Sequence, residues 1–311
     1  MGPSLQTQVP IAAIVIVNYF KAPRLLDGLR SLARQSAAAA AATVVVENSV
    51  DAGERRLLAE AAGKVLLVEP ASNLGYTKGC NLGVRSLPRT RYVVLCNPDI
   101  IWDQADTLEK LIAIADADPS IGVLAPLQFS DDGTPVETAR SFPTLLEQVD
   151  RRLRQGPAKE PHIAETLVRS AQGSVDIDWV QSSCVLIRRT LWDQIEGLDE
   201  RYFLFMSDVE LGRATWAAGL RVCLTSAARV RADGKRASAG GFAALLTSPA
   251  QRNHLVDAIK YYLSNGVRRL LRPRRGAKSL AGSSATRAGT VRGIGEAFPS
   301  EVTKARDPAV L

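Results

Sequence analysis

The chain reads as an α/β protein built on a doubly wound, mostly parallel sheet. Three observations predict this class. Short apolar runs at Ile11–Val17, Thr43–Val46, Lys64–Val68 and Tyr92–Cys96 alternate with helical segments, the pattern of parallel strands joined by crossover helices. The run Tyr92–Cys96 is apolar on both faces, as a strand buried inside such a sheet must be. The polar residues Asn18, Glu47 and Asp99 fall just past strand ends, at the edge where open α/β sheets gather their ligands.

Each element has its own signal. After the first strand, Pro23 opens a helix to about Arg34 with Leu25, Leu26, Leu29 and Leu32 on one face. An alanine-rich linker, Ala37–Ala42, leads to the second strand, and a helix over Glu54–Ala62 leads to the third. Asn73–Asn81 is a Gly/Asn-rich turn running into a helix. Pro98 cannot continue a ladder, so the Tyr92–Cys96 strand ends there and Asp99 enters a loop. A helix over Asp106–Asp116 and a strand at Ile121–Ala125 follow. Pro126–Pro143 reads as a hairpin turning at Asp131-Asp132-Gly133, and Leu145–Ser174 as a polar insertion near the substrate cleft. Then come a strand at Cys184–Ile187, an aromatic segment Tyr202–Phe205, and a helix from Ser207 in which Ser207 is the cap and Glu210 its capping-box partner. That register puts Asp208 in the first turn, where the helix dipole favours an ionised carboxylate. Two short strands at Leu220–Leu224 and Ala228–Ala232 and a helix over His254–Ser264 complete the ordered pattern.

Composition narrows the function. The net charge of +7 belongs to the tail, where residues 268–311 carry ten Lys/Arg against three Asp/Glu. The body is balanced, so nucleic-acid binding through it has no charge support. Four scattered cysteines form no CxxC pair, which argues against a zinc site or a disulfide framework and fits a reducing compartment. Neither GxGxxG nor GxxxxGK[ST] occurs, which argues against a dinucleotide fold or a P-loop. No leader pattern is visible and Val9–Val17 is too short to span a bilayer, so a soluble, cytoplasmic protein is expected.

Asp99 can hold a divalent cation against a diphosphate, since hard cations take oxygen ligands, or it can cap the following helix. Trp179 is either a core residue or a platform for a sugar. Arg213 can bind diphosphate or pair with Glu210 across one helical turn. His162 and His254 lie outside every motif.

Taken in order, Val15–Tyr19, Val45–Ser49, Asn73–Asn81, Leu95–Asp99, Trp179–Arg189, Gly197–Phe205 and Ser207–Gly219 resemble the inverting family 2 glycosyltransferases, in particular the rhamnosyltransferase-type enzymes of bacterial polysaccharide assembly. The resemblance covers Ile11 to Ala232. It implies a GT-A fold, placed at 1–267, with a nucleotide-sugar half over about 11–125 and an acceptor half over 126–267 that carries the variable insertion at 145–174; the resemblance leaves unexplained the basic tail at 268–311, which its composition marks as flexible. It implies that Asn97-Pro98-Asp99 stands at the metal-binding Asp-x-Asp motif, with Asp99 the ligand of Mg²⁺ or Mn²⁺. Donor contacts are then expected from Asn18, Glu47, Asn73, Lys78, Asn97 and Asp99, and acceptor contacts from Trp179, Gln181 and Arg213. Asp208 matches the family's general base. Three departures stand out: Ser207 replaces an acidic residue, Glu47 replaces Asp, and a histidine of the pattern is missing near Ala232.

The expected activity is transfer of a sugar, rhamnose by preference, from dTDP-rhamnose or a UDP-sugar to a hydroxyl of a glycan or polyprenyl-diphosphate-linked acceptor, with inversion. The alternative is a degenerate member that binds a nucleotide sugar or glycan, or scaffolds an assembly complex, without turnover. The tail, with six Lys/Arg between Arg268 and Lys278, is expected either to meet an anionic membrane at the inner face of the plasma membrane or to serve as a disordered solubilising segment.

Overall fold

The computed structural model describes residues 9–61, 65–142, 163–170, 173–233, 256–261 and 263. All lie in the first of the chain's two units, Met1–Ala277. The tail at 268–311, most of the insertion, and both histidines lie outside the described residues.

The elements follow in order as β1 (Ala12–Asn18), α1 (Ala22–Ala33), β2 (Ala41–Glu47), α2 (Ala52–Ala61), β3 (Leu66–Val68), α3 (Gly75–Arg85), β4 (Tyr92–Cys96) and α4 (Thr107–Ala117). After them come β5 (Ile121–Ser130), β6 (Pro135–Val136), β7 (Ala139–Arg140), α5 (Ile163–Ser170), β8 (Ser174–Asp176), β9 (Trp179–Val180) and β10 (Cys184–Arg188). The last are α6 (Arg189–Gln194), α7 (Ser207–Ala217), β11 (Arg221–Ala232) and a helical segment at 256–261. Among the described residues, no helix is long and apolar enough to cross a membrane.

The main sheet runs β3-β2-β1-β4-β10-β5-β11-β8, with β6 beside β5, while β7 and β9 form a separate pair. β3, β2, β1 and β4 are parallel, as are β5 and β11. β10 inserts between β4 and β5 antiparallel to both, with Cys184 opposite Cys96 and Leu186 opposite Leu124. Period-two alternation splits the interior into two layers. Ile14 and Ile16 face Leu25, Leu29 and Leu111 of α1 and α4, whereas Val15 and Val17 face Cys80 and Val84 of α3.

Three boundaries differ from expectation. β2 begins in the alanine tract, where Ala41 and Ala42 pair in register with Ala12 and Ala13, and only Ala38–Ala40 remains a turn. Strand pairing there overrides the weak β preference of alanine. The two short strands expected before residue 233 are one, β11, whose pairing with β5 slips between Thr225 and Arg229. The hairpin turns at Asp131-Asp132-Gly133 as expected (Gly133 φ +85°), but its return strand is only Pro135–Val136, and Ala139–Arg140 pairs with β9 instead.

Helix α3 lies close on the sheet because Gly79 and Gly83 have no side chains; a Cβ at Gly83 would overlap the Val15 side chain. Gly83→Ala should therefore destabilise the protein by about 1–2 kcal/mol, the overpacking outweighing the gain in helix propensity. Urea denaturation with an unchanged m-value is the check, and a stabilised variant would show that α3 can shift outward freely.

Candidate active site

The carboxyl ends of β1 and β2 meet in register at Asn18 and Glu47. Both side chains are buried, and their polar atoms are used internally. The Asn18 amide donates to Glu47 Oε2 at 2.5 Å and to Glu54 Oε2 at 2.7 Å, while its oxygen accepts from the Lys21 backbone N–H. The other Glu47 oxygen accepts from the Ser49 N–H at 2.7 Å. The polar atoms of Asn18 and Glu47 are engaged within the protein, where they fix the loops that leave the strands. The groups presented at this edge are instead Tyr19 and Phe20, each 54% exposed and packed edge to face.

Asp99 sits beyond β4 as expected. Its carboxyl is pushed up to about 6 by burial and by a hydrogen-bonded contact with the carboxyl of Asp233. Two carboxylates cannot share such a contact unless a proton or a cation neutralises one. Lys21 does part of this, its Nζ standing 2.6 Å from Asp233 Oδ2. Asp233 immediately follows β11 and Ala232, where the family pattern led one to expect a histidine. The side-chain amide of Asn97 has no partner among the described residues, and its backbone N–H donates to the Ser183 carbonyl at 2.7 Å. Among the described residues no cluster of three or more His, Cys, Asp or Glu could hold a metal. The two carboxylates of Asp99 and Asp233 nevertheless match the oxygen-rich, incomplete set that Mg²⁺ or Mn²⁺ completes with diphosphate oxygens.

Asp208 lies in the first turn of α7. The cap, however, is Met206, in left-handed backbone (φ +66°), and not Ser207. Ser207 is already helical and donates to the Leu204 carbonyl, while Glu210 is drawn away to Arg213. The Ser182 hydroxyl donates to Asp208 Oδ1 at 2.5 Å and lies 2.9 Å from the Tyr76 hydroxyl. Burial raises the Asp208 carboxyl to about 6 even though Ser182 and Ser207 hydrogen-bond its ionised form. Desolvation thus exceeds these hydrogen bonds by ~2–3 kcal/mol. Burial also raises the Tyr76 phenol, so it stays a neutral hydrogen-bonding group.

The turn at Asn73–Asn81 proves to be a clamp. Asn73 Oδ1 accepts from Asn48 Nδ2 and from the Gly75 N–H. The Tyr76 N–H donates to the Phe203 carbonyl, Thr77 Oγ1 to the Tyr202 carbonyl, and Asn81 exchanges two bonds with Leu198. Helix α3 thereby fixes residues 198–203, which lead into α7. From the other side, the buried carboxylate of Asp257 accepts the successive N–H groups of Phe203, Leu204 and Phe205 at 3.0–3.1 Å. Lys78 is exposed on α3. Trp179 packs on Tyr202, Met206, Val209 and Tyr261 and donates Nε1 to the Ser141 carbonyl, leaving one part of its ring open. The Gln181 side chain has no partner among the described residues. Arg213 pairs in a two-pronged contact with Glu210 and lines a cavity of about 680 Å³ whose walls do not include Asp208, Asp99 or Asp233.

A family model described as "Glycosyltransferase like family 2" matches residues 10–247. The chain belongs to glycosyltransferase family 2. Over 224 residues it is 28% identical to the N-acetylglucosaminyl-diphospho-decaprenol L-rhamnosyltransferase of Mycobacterium tuberculosis, which covers 67% of this chain and 71% of that one. A mannosyltransferase of Pyrobaculum calidifontis, solved with GDP-Man and Mn²⁺, superposes with TM-score 0.57 at 17% identity over 84% of this chain. GalNAc-T7, solved with UDP, GalNAc and Mn²⁺, superposes with TM-score 0.52 at 13% identity over 75% of it. The chain spans 66% and 46% of those two proteins, and the likeness establishes a GT-A glycosyltransferase fold.

In this transferase Ser182, Tyr76, Asp233 and Asp257 join the site without having been singled out from the sequence. Ser182 and Tyr76 lie inside recognised motifs, and Asp233 is one residue past the expected position. Asp257 left only one trace, an acid spaced in phase with Ala258 and Tyr261.

The raised Asp208 value has a thermodynamic consequence. Relative to the unfolded chain, its contribution to stability is complete below about pH 3.8 and lost as pH rises through about 6. Asp208→Asn removes that loss, so the variant should melt higher than the parent at pH 7.5 and level with it near pH 4. Thermal denaturation at both values checks this; equal melting at pH 7.5 would mean that the carboxylate is adequately solvated.

Proposed function

We propose that this enzyme transfers a sugar, rhamnose by preference, from a nucleoside-diphosphate donor to a hydroxyl of a polyprenyl-diphosphate-linked or glycan acceptor, with inversion. One observation carries the reading. Asp208, held by Ser182, is joined to the Asp99 loop through the adjacent Ser183, whose carbonyl accepts the Asn97 N–H. Asp208 and the loop that carries Asp99 thus lie along one edge, which supports a base and a diphosphate-binding carboxylate pair working together there. The mycobacterial relative's own acceptor, a lipid-linked N-acetylglucosamine, supports the choice of acceptor class.

In the proposed reaction the Asp208 carboxylate takes the proton of the acceptor hydroxyl. The freed oxygen pair bonds to the anomeric carbon from the face opposite the diphosphate, and the bond from that carbon to the diphosphate oxygen breaks with its electrons leaving on oxygen. A single displacement inverts the centre, and no covalent sugar–enzyme bond forms. Ser182 keeps the carboxylate aimed, because its hydroxyl can donate to one oxygen while the other meets the substrate. Asp99 and Asp233 would hold Mg²⁺ or Mn²⁺, which when bound supplies positive charge to the leaving diphosphate. Tyr19 and Phe20 present an aromatic surface to the nucleobase. The amide of Gln181, unpartnered among the described residues, and the open part of Trp179 border the acceptor side.

Asp208 fixes the acid limb of the pH profile. Turnover should rise with pH through about 6 as the base loses its proton, and flatten above it. Asp208→Asn should lower kcat by roughly 10²–10⁴ while leaving nucleotide affinity intact. Release of nucleoside diphosphate across a panel of donors measures both, and near-normal turnover in the variant would transfer the role to another group.

Asp233→Asn and Asp99→Asn should each abolish the gain in nucleoside-diphosphate affinity that Mn²⁺ confers. Calorimetric titration with and without the ion decides it. An unchanged gain in Asp233→Asn would leave Asp99 without this second carboxylate.

A further inference from the structure

The helical segment at 256–261 has its polarity reversed. Its inward face carries the buried Asp257, Ala258 and Tyr261, and Asp257 is engaged with the loop that precedes α7. Outward, Val256, Ile259 and Leu263 are 47%, 49% and 79% exposed. At 100° per residue these three positions fall within a 60° arc, so they form one stripe. A soluble helix normally turns such a stripe inward and its acid outward. Beside the stripe, Lys260 Nζ donates to the Arg201 carbonyl at the rim. Further along the sequence, Arg268, Arg269, Arg272, Arg274, Arg275 and Lys278 fall within eleven positions.

From this juxtaposition we propose that the Val256–Ile259–Leu263 stripe docks on an anionic bilayer surface. The apolar side chains enter the headgroup boundary while the neighbouring basic run is drawn to acidic lipid. Apolar contact plus cationic attraction is what holds an interfacial helix in place, and neither alone gives stable anchoring. The inference rests on the lipid-linked acceptor proposed above and gives that acceptor an address. Since the inner face of the same helix holds residues 203–205, the docked surface lies one layer of structure from the base helix.

The test is co-sedimentation of the full-length protein with vesicles of phosphatidylglycerol or of phosphatidylcholine, without donor or acceptor, so its outcome is independent of transfer activity. The parent should pellet with phosphatidylglycerol at low salt, only weakly with phosphatidylcholine, and less as salt rises. V256S/I259S/L263S should lose about tenfold or more of the partition to anionic vesicles while keeping its melting temperature and nucleoside-diphosphate affinity. A second variant, with the six basic residues from Arg268 to Lys278 changed to Gln, should lose the salt-dependent part. Equal pelleting of parent and stripe variant, or no pelleting of the parent, overturns the proposal. So does a stripe variant that converts a dimer to a monomer in sedimentation velocity, because the stripe would then cover a second copy of this chain.

Discussion

The site depends on one antiparallel strand. In a purely parallel sheet every strand would deliver its end, and the loop after it, to the ligand edge. β10 runs the other way between β4 and β5, so it delivers its beginning. Residues 181–183 therefore arrive where β4 finishes, and the Ser183 carbonyl takes the Asn97 N–H. Without this reversal Ser182 would lie at the far end of the sheet, and α7 would have no hydroxyl to hold its carboxylate.

Two carboxyls along that edge reach about 6 by different routes. At Asp208 the cause is burial, opposed by hydroxyls that stabilise the ion. At Asp99 burial is reinforced by another acid, Asp233, and opposed by a backbone hydrogen bond and by Lys21. The first environment is poised to exchange a proton near neutrality, the second calls for added positive charge. The same principle, the cost of charge away from water, thus prepares two kinds of chemistry through different neighbours.

Two supports meet on the segment before α7. Helix α3 grips residues 198–203 through Tyr76, Thr77 and Asn81, an approach that Gly75 permits: a Cβ there would stand 2.5 Å from the Phe203 carbonyl oxygen. Asp257 gathers the next three N–H groups with one carboxylate. An unpaired buried carboxylate would be costly, and three unpaired N–H groups likewise; together they satisfy one another. The left-handed turn at Met206 follows at once and aims the helix.

Periodicity and punctuation were enough to read much of this protein. The apolar runs and Pro98 placed β1, β2 and β4 and located Asp99 beyond a strand, because burial on two faces and a missing backbone donor are local properties. The Ser207–Glu210 stretch likewise placed Asp208 in the first turn of a helix. What local sequence could not decide was partnership. The sequence does not show that the register sets Glu47 against Asn18, nor which of its two expected partners Arg213 engages. Asp233 and Asp257 are ordinary acids in sequence, 134 and 49 residues from Asp99 and Asp208. They became part of the site because β11 ends beside the β4 loop and a late helix packs on residues 203–205. Such contacts are decided when strand pairing and desolvation bring distant charges together, and no short stretch of sequence carries that information.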